Sequence, residues 1–123
     1  MDAEALRALS RDWPGVAEDV KWGDDLVFTV GGRMFCVLDL GEGLSGRLSF
    51  KVDADRFLEY TDRAGIQPAP YMARAYWISL DRADPLGRRA LSTAELTVAV
   101  RHSYDLVFAR LPKRQQRQLL GEA

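Results

Sequence analysis

Apolar and polar positions recur at helical spacing near both ends of the chain and crowd into short runs between them. Leu6 and Leu9 share one side of a helix predicted over 3–11, which Pro14-Gly15 ends. Four strands follow over 19–22, 26–30, 33–40 and 47–52. Each is rich in β-branched or aromatic residues, with glycine-bearing breaks at 23–24, 31–32 and 41–46. Gly31-Gly32 tolerates positive φ at both positions of a two-residue hairpin turn, so the run reads as an antiparallel meander. Asp53 is placed to cap a helix running to about Asp62, with Phe57, Leu58 and Thr61 turned inward. Residues 63–70, with Gly65, Pro68 and Pro70, read as irregular, 75–80 as a fifth strand and 82–89 as a charged loop. Ser92-x-x-Glu95 has capping-box spacing and opens a long helix. Its Leu96, Val100, Tyr104, Val107 and Leu111 form one buried stripe, and Pro112 breaks it before a short terminal segment over 113–120. The order α-β-β-β-β-α-β-α predicts an α+β fold in two layers. A five-stranded antiparallel sheet carries helices mainly on one face.

Strand alternation divides the sheet residues between two faces. Leu26, Phe28, Val30, Met34, Cys36, Leu38, Leu40, Leu48, Phe50, Val52, Tyr76, Ile78 and Leu80 fall on the side the helices cover. The opposite side receives Val27, Thr29, Arg33, Phe35, Val37, Arg47, Ser49, Lys51, Trp77 and Ser79, a mixture of aromatic, β-branched and basic residues. Two readings of that side stand. In the favoured one, the N-terminal region or 63–74 folds across it and makes a second small core, because open apolar patches are rare on monomers. In the other it is a binding platform, where Phe35 and Trp77 offer stacking area beside Arg33, Arg47 and Lys51.

Composition narrows the class. A chain of 123 residues, 47% hydrophobic and 28% charged, suits one domain spanning 1–123 that stands without disulfides or metal. No apolar run approaches the roughly 20 residues of a membrane helix. Met1-Asp2-Ala3-Glu4 lacks the basic and apolar regions of a signal peptide, and the single Cys36 suits a reducing compartment, so a cytoplasmic location is expected. The net charge of −1 conceals a gradient: residues 1–62 hold 7 basic and 13 acidic side chains, and residues 63–123 hold 10 basic and 5 acidic. A chain-wide basic footprint for nucleic acid is absent, while a local one depends on where the charges fold to.

No motif demands an enzyme. Residues 41–46 match G-x-G-x-x-G, but the dinucleotide fingerprint needs a following helix, and a strand is predicted there instead. One histidine and one cysteine supply no zinc set, so neither metal nor cofactor is expected. Cys36 with His102 as nucleophile and base is disfavoured, since a cysteine on a core face is usually a small inert hydrophobe. Asp24-Asp25 is explained by turn preference. Trp22, in Lys21-Trp22-Gly23, either packs under the hairpin, the favoured reading, or projects with Lys21 as an edge for a ligand.

The set Pro14-Gly15, Val20-Lys21-Trp22-Gly23, Val27-Phe28, Gly31-Gly32-Arg33-Met34-Phe35, Leu48-Ser49-Phe50-Lys51, Pro70-Tyr71 and Tyr76-Trp77 resembles the MmcQ/YjbR family of small bacterial proteins. Ser103-Tyr104-Asp105-Leu106-Val107 and Leu111-Pro112-Lys113 agree with it, so the resemblance spans nearly the whole chain. It implies a two-layer fold of the secretion-chaperone-like or frataxin-like kind and a DNA-binding role with a double-wing arrangement. It supplies no catalytic motif. The matching positions that could touch a polyanion are Lys21, Arg33, Lys51 and Arg74.

The resulting expectation is a non-enzymatic binding domain that contacts DNA weakly and with strong salt dependence. Lys21, Arg33, Arg47, Lys51 and Arg74 would meet phosphates, and Phe35, Tyr71 and Trp77 would supply stacking area. The alternative is a protein-interaction module dominated by Phe35, Val37 and Trp77. Small-molecule binding around Trp22, Tyr71 or Trp77 ranks last.

Overall fold

The structure, a computed structural model, describes residues 1–40 and 46–121. Helix α1 (Ala3–Ser10) precedes strands β1 (Val16–Lys21), β2 (Asp25–Val30), β3 (Arg33–Asp39) and β4 (Leu48–Lys51). Helix α2 (Phe57–Thr61), strands β5 (Ile66–Pro68) and β6 (Trp77–Leu80), and helices α3 (Pro85–Arg89), α4 (Thr93–Ala109) and α5 (Lys113–Leu119) complete it. All strand pairs are antiparallel, in the order β1-β2-β3-β4-β6-β5. The α+β architecture and the antiparallel sheet agree with the sequence reading. The strand count and element order do not, since the sheet has six strands.

The sixth strand, β5, lies in the stretch expected to be irregular. It is three residues long at the sheet edge, where Pro68 costs no ladder bond on its outer side. The loop expected over 82–89 closes with α3, because Asp84 caps the Leu86 N–H at 3.0 Å and Pro85 starts the helix with φ preset. Asp53 makes no side-chain cap; its carboxylate meets His102 Nε2 at 2.7 Å instead. Phe57 and Thr61 are half-buried as expected, but Leu58 faces solvent. Most of the glycine-rich motif, residues 41–45, lies outside the described residues.

Helix α4 is held as its sequence requires. Ser92 Oγ accepts from Glu95 N at 3.1 Å, and Glu95 Oε1 accepts from Ser92 N at 3.0 Å, completing the capping box. Leu96, Val100, Tyr104, Val107 and Leu111 are all buried against the sheet. Leu6 of α1 and the partly buried Trp13 join this core, so the N-terminal region packs on the helix side.

One irregularity changes which face each residue of β3 reaches. Phe28 pairs with Cys36 and Thr29 with Met34, which leaves Phe35 as the extra residue of a β-bulge. The bulge turns Phe35 into the helix-side core, where its ring meets Tyr104 edge-on at 5.4 Å and Trp13 at 6.1 Å. Met34 goes to the far face in its place. At the bulge, Ser103 of α4 inserts a hydroxyl that donates to Phe35 O at 2.6 Å and accepts from Lys51 N at 2.9 Å. Two backbone groups that the interrupted ladder leaves over are thereby satisfied.

Candidate functional site

The far face is largely covered by the protein's own chain. Residues 69–76, which connect β5 to β6, fold across it; Met72 and Ala69 pack on Val27, Val37 and Trp77 in a second, smaller core. Ser49 and Ser79 meet beneath at 3.0 Å, both buried. The covering segment is fixed by Ala69 N–H donating to Trp77 O and Val52 N–H donating to Tyr76 O, 3.0 and 2.9 Å. Trp77 is therefore 5% exposed, Phe35 in the helix-side core is 1% exposed, and neither can stack on a ligand. The interaction surface expected of Phe35, Val37 and Trp77 is likewise interior. Of the two readings of this face, the covered one holds for its middle, with the cover coming from 69–76.

The cover leaves an opening at each end, and Met34 and Met72 line both. The opening beside the 31–32 turn is a cleft of about 390 Å³ among Arg33, Lys51, Arg110, Ala75, Trp77 and Val107. Gly31 and Gly32 both take positive φ, as the hairpin turn requires, and this brings Arg33 to the rim. Lys51 is 8% exposed; its ammonium donates to Ala75 O and lies 5.9 Å from the Tyr76 ring centroid. Burial, and then the nearby Arg110 guanidinium, hold Lys51 below its ordinary pKa. No acidic residue lines the cleft, and neither Arg33, Lys51 nor Arg110 has an ion-pair partner among the described residues. Elsewhere Arg7, Arg56, Arg63 and Arg101 are each paired with a carboxylate. Helix α5 abuts the same turn, with Gln115 donating to Gly31 O at 3.2 Å. Residues 106–121 contribute Arg110, Lys113, Arg114 and Arg117 and no acidic side chain.

The opposite opening is a groove of about 540 Å³. Its floor is Val37, Met34 and Met72, and its end is the cross-strand row Asp25, Asp39 and Arg47. Trp22 and Tyr71 form its outer walls; Trp22 is 69% exposed and Tyr71 fully so. Trp22 thus projects at the turn and does not pack under the hairpin. Trp22, Tyr71 and Tyr76 are the non-glycine residues at positive φ among the described residues, and all three belong to the connections bordering the far face. Such a conformation is uncommon for a bulky side chain. Burial, then the carboxylates of Asp39 and Asp24, push the Asp25 pKa up, and Arg47 opposes them. Arg47 Nε is buried without a hydrogen-bond acceptor among the described residues.

The predicted site residues are therefore dispersed. Arg33 and Lys51 come together, and Arg74 is exposed on the 73–75 turn that borders their cleft. Arg47 and Tyr71 belong to the other opening. Lys21 is exposed opposite Asp25, at the other end of β2 from the Val30–Arg33 pair, an offset of about 17 Å along the strand at about 3.3 Å per residue. Tyr76 and Leu40, expected on the core side, are exposed; Tyr76 precedes β6 in a left-handed conformation and Leu40 follows the end of β3. Arg110 is the addition, and Trp22, the less favoured ligand edge of the sequence reading, lines the groove. Arg110 sits at the C-cap of α4, where a basic residue is already explained by the helix dipole, so its sequence position gives no separate signal.

No catalytic grouping accompanies these openings among the described residues. Cys36 is in the core, where burial pushes its thiol up to about 12. His102 is half-exposed and bonded to Asp53. Among the described residues no helix is long and apolar enough to cross a membrane.

A family model described as YjbR matches residues 11–106. The crystal structure of Deinococcus radiodurans protein DR2400, a DUF419 domain, is similar with a TM-score of 0.75 and 26% identity, covering 98% of this chain and 88% of that one. A Pseudomonas syringae protein shares the fold at a TM-score of 0.66 and 18% identity, covering 87% of this chain and 99% of that one. No functionally curated protein matches the sequence.

Proposed function

Since the chain belongs to the YjbR family, for which the sequence resemblance implies contact with DNA, we propose that it is a non-enzymatic binding protein that holds nucleic-acid phosphates at the 31–33 end of the sheet. The observation that carries this reading is the cleft of Arg33, Lys51 and Arg110, three cations together with no acid among them. Arg74 and the basic residues of α5 extend the positive field beyond the rim. Phosphates in the cleft relieve the repulsion between Lys51 and Arg110 and release counterions from the nucleic acid. The site moves from the sheet face to the sheet end, and the stacking residues drop out. Backbone contact without base reading is the resulting mode.

Fluorescence anisotropy of labelled duplex and single-stranded DNA tests it. Three phosphate contacts give a log–log salt slope of about −2.7 on duplex, a loss of about 40-fold between roughly 50 and 200 mM salt. Arg33→Ala with Arg110→Ala lowers the magnitude of that slope by about 2. Absence of binding at low salt, or an unchanged slope in the double variant, overturns the proposal.

A further inference from the structure

Not every nucleic-acid phosphate suits the cationic cleft equally, because its three cations differ in access. Arg33 and Arg110 are exposed, and their guanidinium groups make no hydrogen bond or ion pair among the described residues. Lys51 is only 8% exposed, and its ammonium gives one donor to Ala75 O. An ammonium carries three donors, so two remain without an acceptor among the described residues. The side chains around them, Met34, Met72, Trp77 and Val107, line the cleft with apolar surface. We infer, on the basis of the DNA reading, that the cleft receives the end of a nucleic-acid strand. Its terminal phosphate monoester meets Lys51, and the backbone phosphates that follow meet Arg33 and Arg110.

Shape and charge both separate a terminal phosphate from an internal one. An internal phosphate has a sugar on each side, so its strand must pass across the site. Lys51 is buried where Arg33 and Arg110 are exposed, and a strand passing across meets the two arginines first. Ala75 O and the Tyr76 ring hold the ammonium against the 73–76 connection, away from such a strand. A terminal phosphate has a sugar on one side only and projects past the arginines. It also carries about −1.5 to −2 charge at pH 7 and three strong acceptor oxygens, against the single charge of a backbone diester. A shielded ammonium with open donors gains most from the stronger acceptor, since charge-assisted hydrogen bonds strengthen away from water. Burial and the neighbouring Arg110 already disfavour the charged form of Lys51, and a dianion offsets both.

Competition anisotropy at low salt, against an internally labelled single strand, tests the preference. The competitors are one short oligonucleotide with a 5′-phosphate, with a 3′-phosphate or with hydroxyls at both ends, and thymidine 5′-monophosphate alone. A strand phosphorylated at one of its ends is expected to compete at least about tenfold better than the hydroxyl strand. Thymidine monophosphate is expected to compete less well than that strand, because it brings no backbone phosphates to Arg33 and Arg110. Arg33→Ala with Arg110→Ala should weaken every strand and keep the preference for the phosphorylated end. Lys51→Met retains an apolar stem and should bring the phosphorylated strand down to the hydroxyl strand. Where Lys51→Met loses its cooperative melt, the parent and the arginine variant decide by themselves. Equal competition by the three strands overturns the inference and leaves the DNA reading standing, whereas no competition by any strand overturns both. Thymidine monophosphate competing as well as the phosphorylated strand, or an end preference that survives in folded Lys51→Met, also overturns it.

Discussion

The two faces of the sheet are buried by different means, and the difference separates stability from binding. The near face is roofed by α4 with α1 and α2, and its residues from Leu26 to Leu111 form one continuous core. On the far face eight residues, 69–76, do the covering, sealing Val27, Val37, Ala69 and Trp77 and leaving an opening at each end. A long amphipathic helix excludes water along its whole length, whereas a short connection can close only the middle of a face. What remains open is polar in two opposite senses. Cations gather by the 31–33 turn, and aromatics with carboxylates gather by the 22–25 turn.

The strongest way to break this comparison is to remove a ring from each side. Phe35→Ala empties a site touched by Phe28, Tyr104 and Trp13 and is expected to cost about 4 kcal/mol in denaturant unfolding. Trp77→Ala is expected to cost less, about 3 kcal/mol, because its cover of Met72 and Ala69 belongs to a connection that can settle into the space. Equal costs, or a larger one at Trp77, would mean that the far-face cluster is as rigid a core as the helix side.

Ser103→Ala sharpens the comparison at the point where the faces are sorted. Removing the hydroxyl leaves Phe35 O and Lys51 N–H buried without the partner they share, with an expected loss of about 2 kcal/mol. Since Lys51 lines the cationic cleft, the same variant should also weaken DNA binding. A loss of stability with DNA binding unchanged would show that the bulge serves folding alone.

That bulge also explains how far the sequence can be read. The stripe on α4, its capping box and the Gly31-Gly32 turn were all legible, because each rests on a local pattern of residue types. Alternation placed Val27, Val37, Ser49 and Trp77 on the far face correctly. It failed at Met34 and Phe35 because Met34-Phe35-Cys36-Val37 is apolar throughout, so the run carries no parity that would reveal one inserted residue. The three-residue β5 is too short to show a period, and Gly65, Pro68 and Pro70 in and around it read as a loop. For the candidate sites, the residue types were visible but their grouping was not. Arg33 and Lys51 are joined by Arg110 only because α4 crosses the sheet and ends at that cleft, a tertiary fact. Trp22 and Tyr71 are nearly 50 residues apart and meet at one groove only because 69–76 folds back over the sheet.

The smallest expected effect bears most directly on why the aromatic end exists. Tyr71 is fully exposed and holds a left-handed backbone conformation at φ 65°, where a bulky residue costs roughly 1–2 kcal/mol that glycine avoids. Nothing in the fold repays that cost through the ring, which has no ring-stacking or hydrogen-bond partner among the described residues. Tyr71→Gly relieves the backbone strain, while the extra freedom glycine adds to the unfolded chain offsets part of the gain. The melting temperature is therefore expected to stay within about 2 °C of the parent or to rise by a few degrees. A drop of more than about 5 °C, more than a residue without structural contacts can cause, would place the Tyr71 ring in the scaffold and return the groove to the stability side of the comparison.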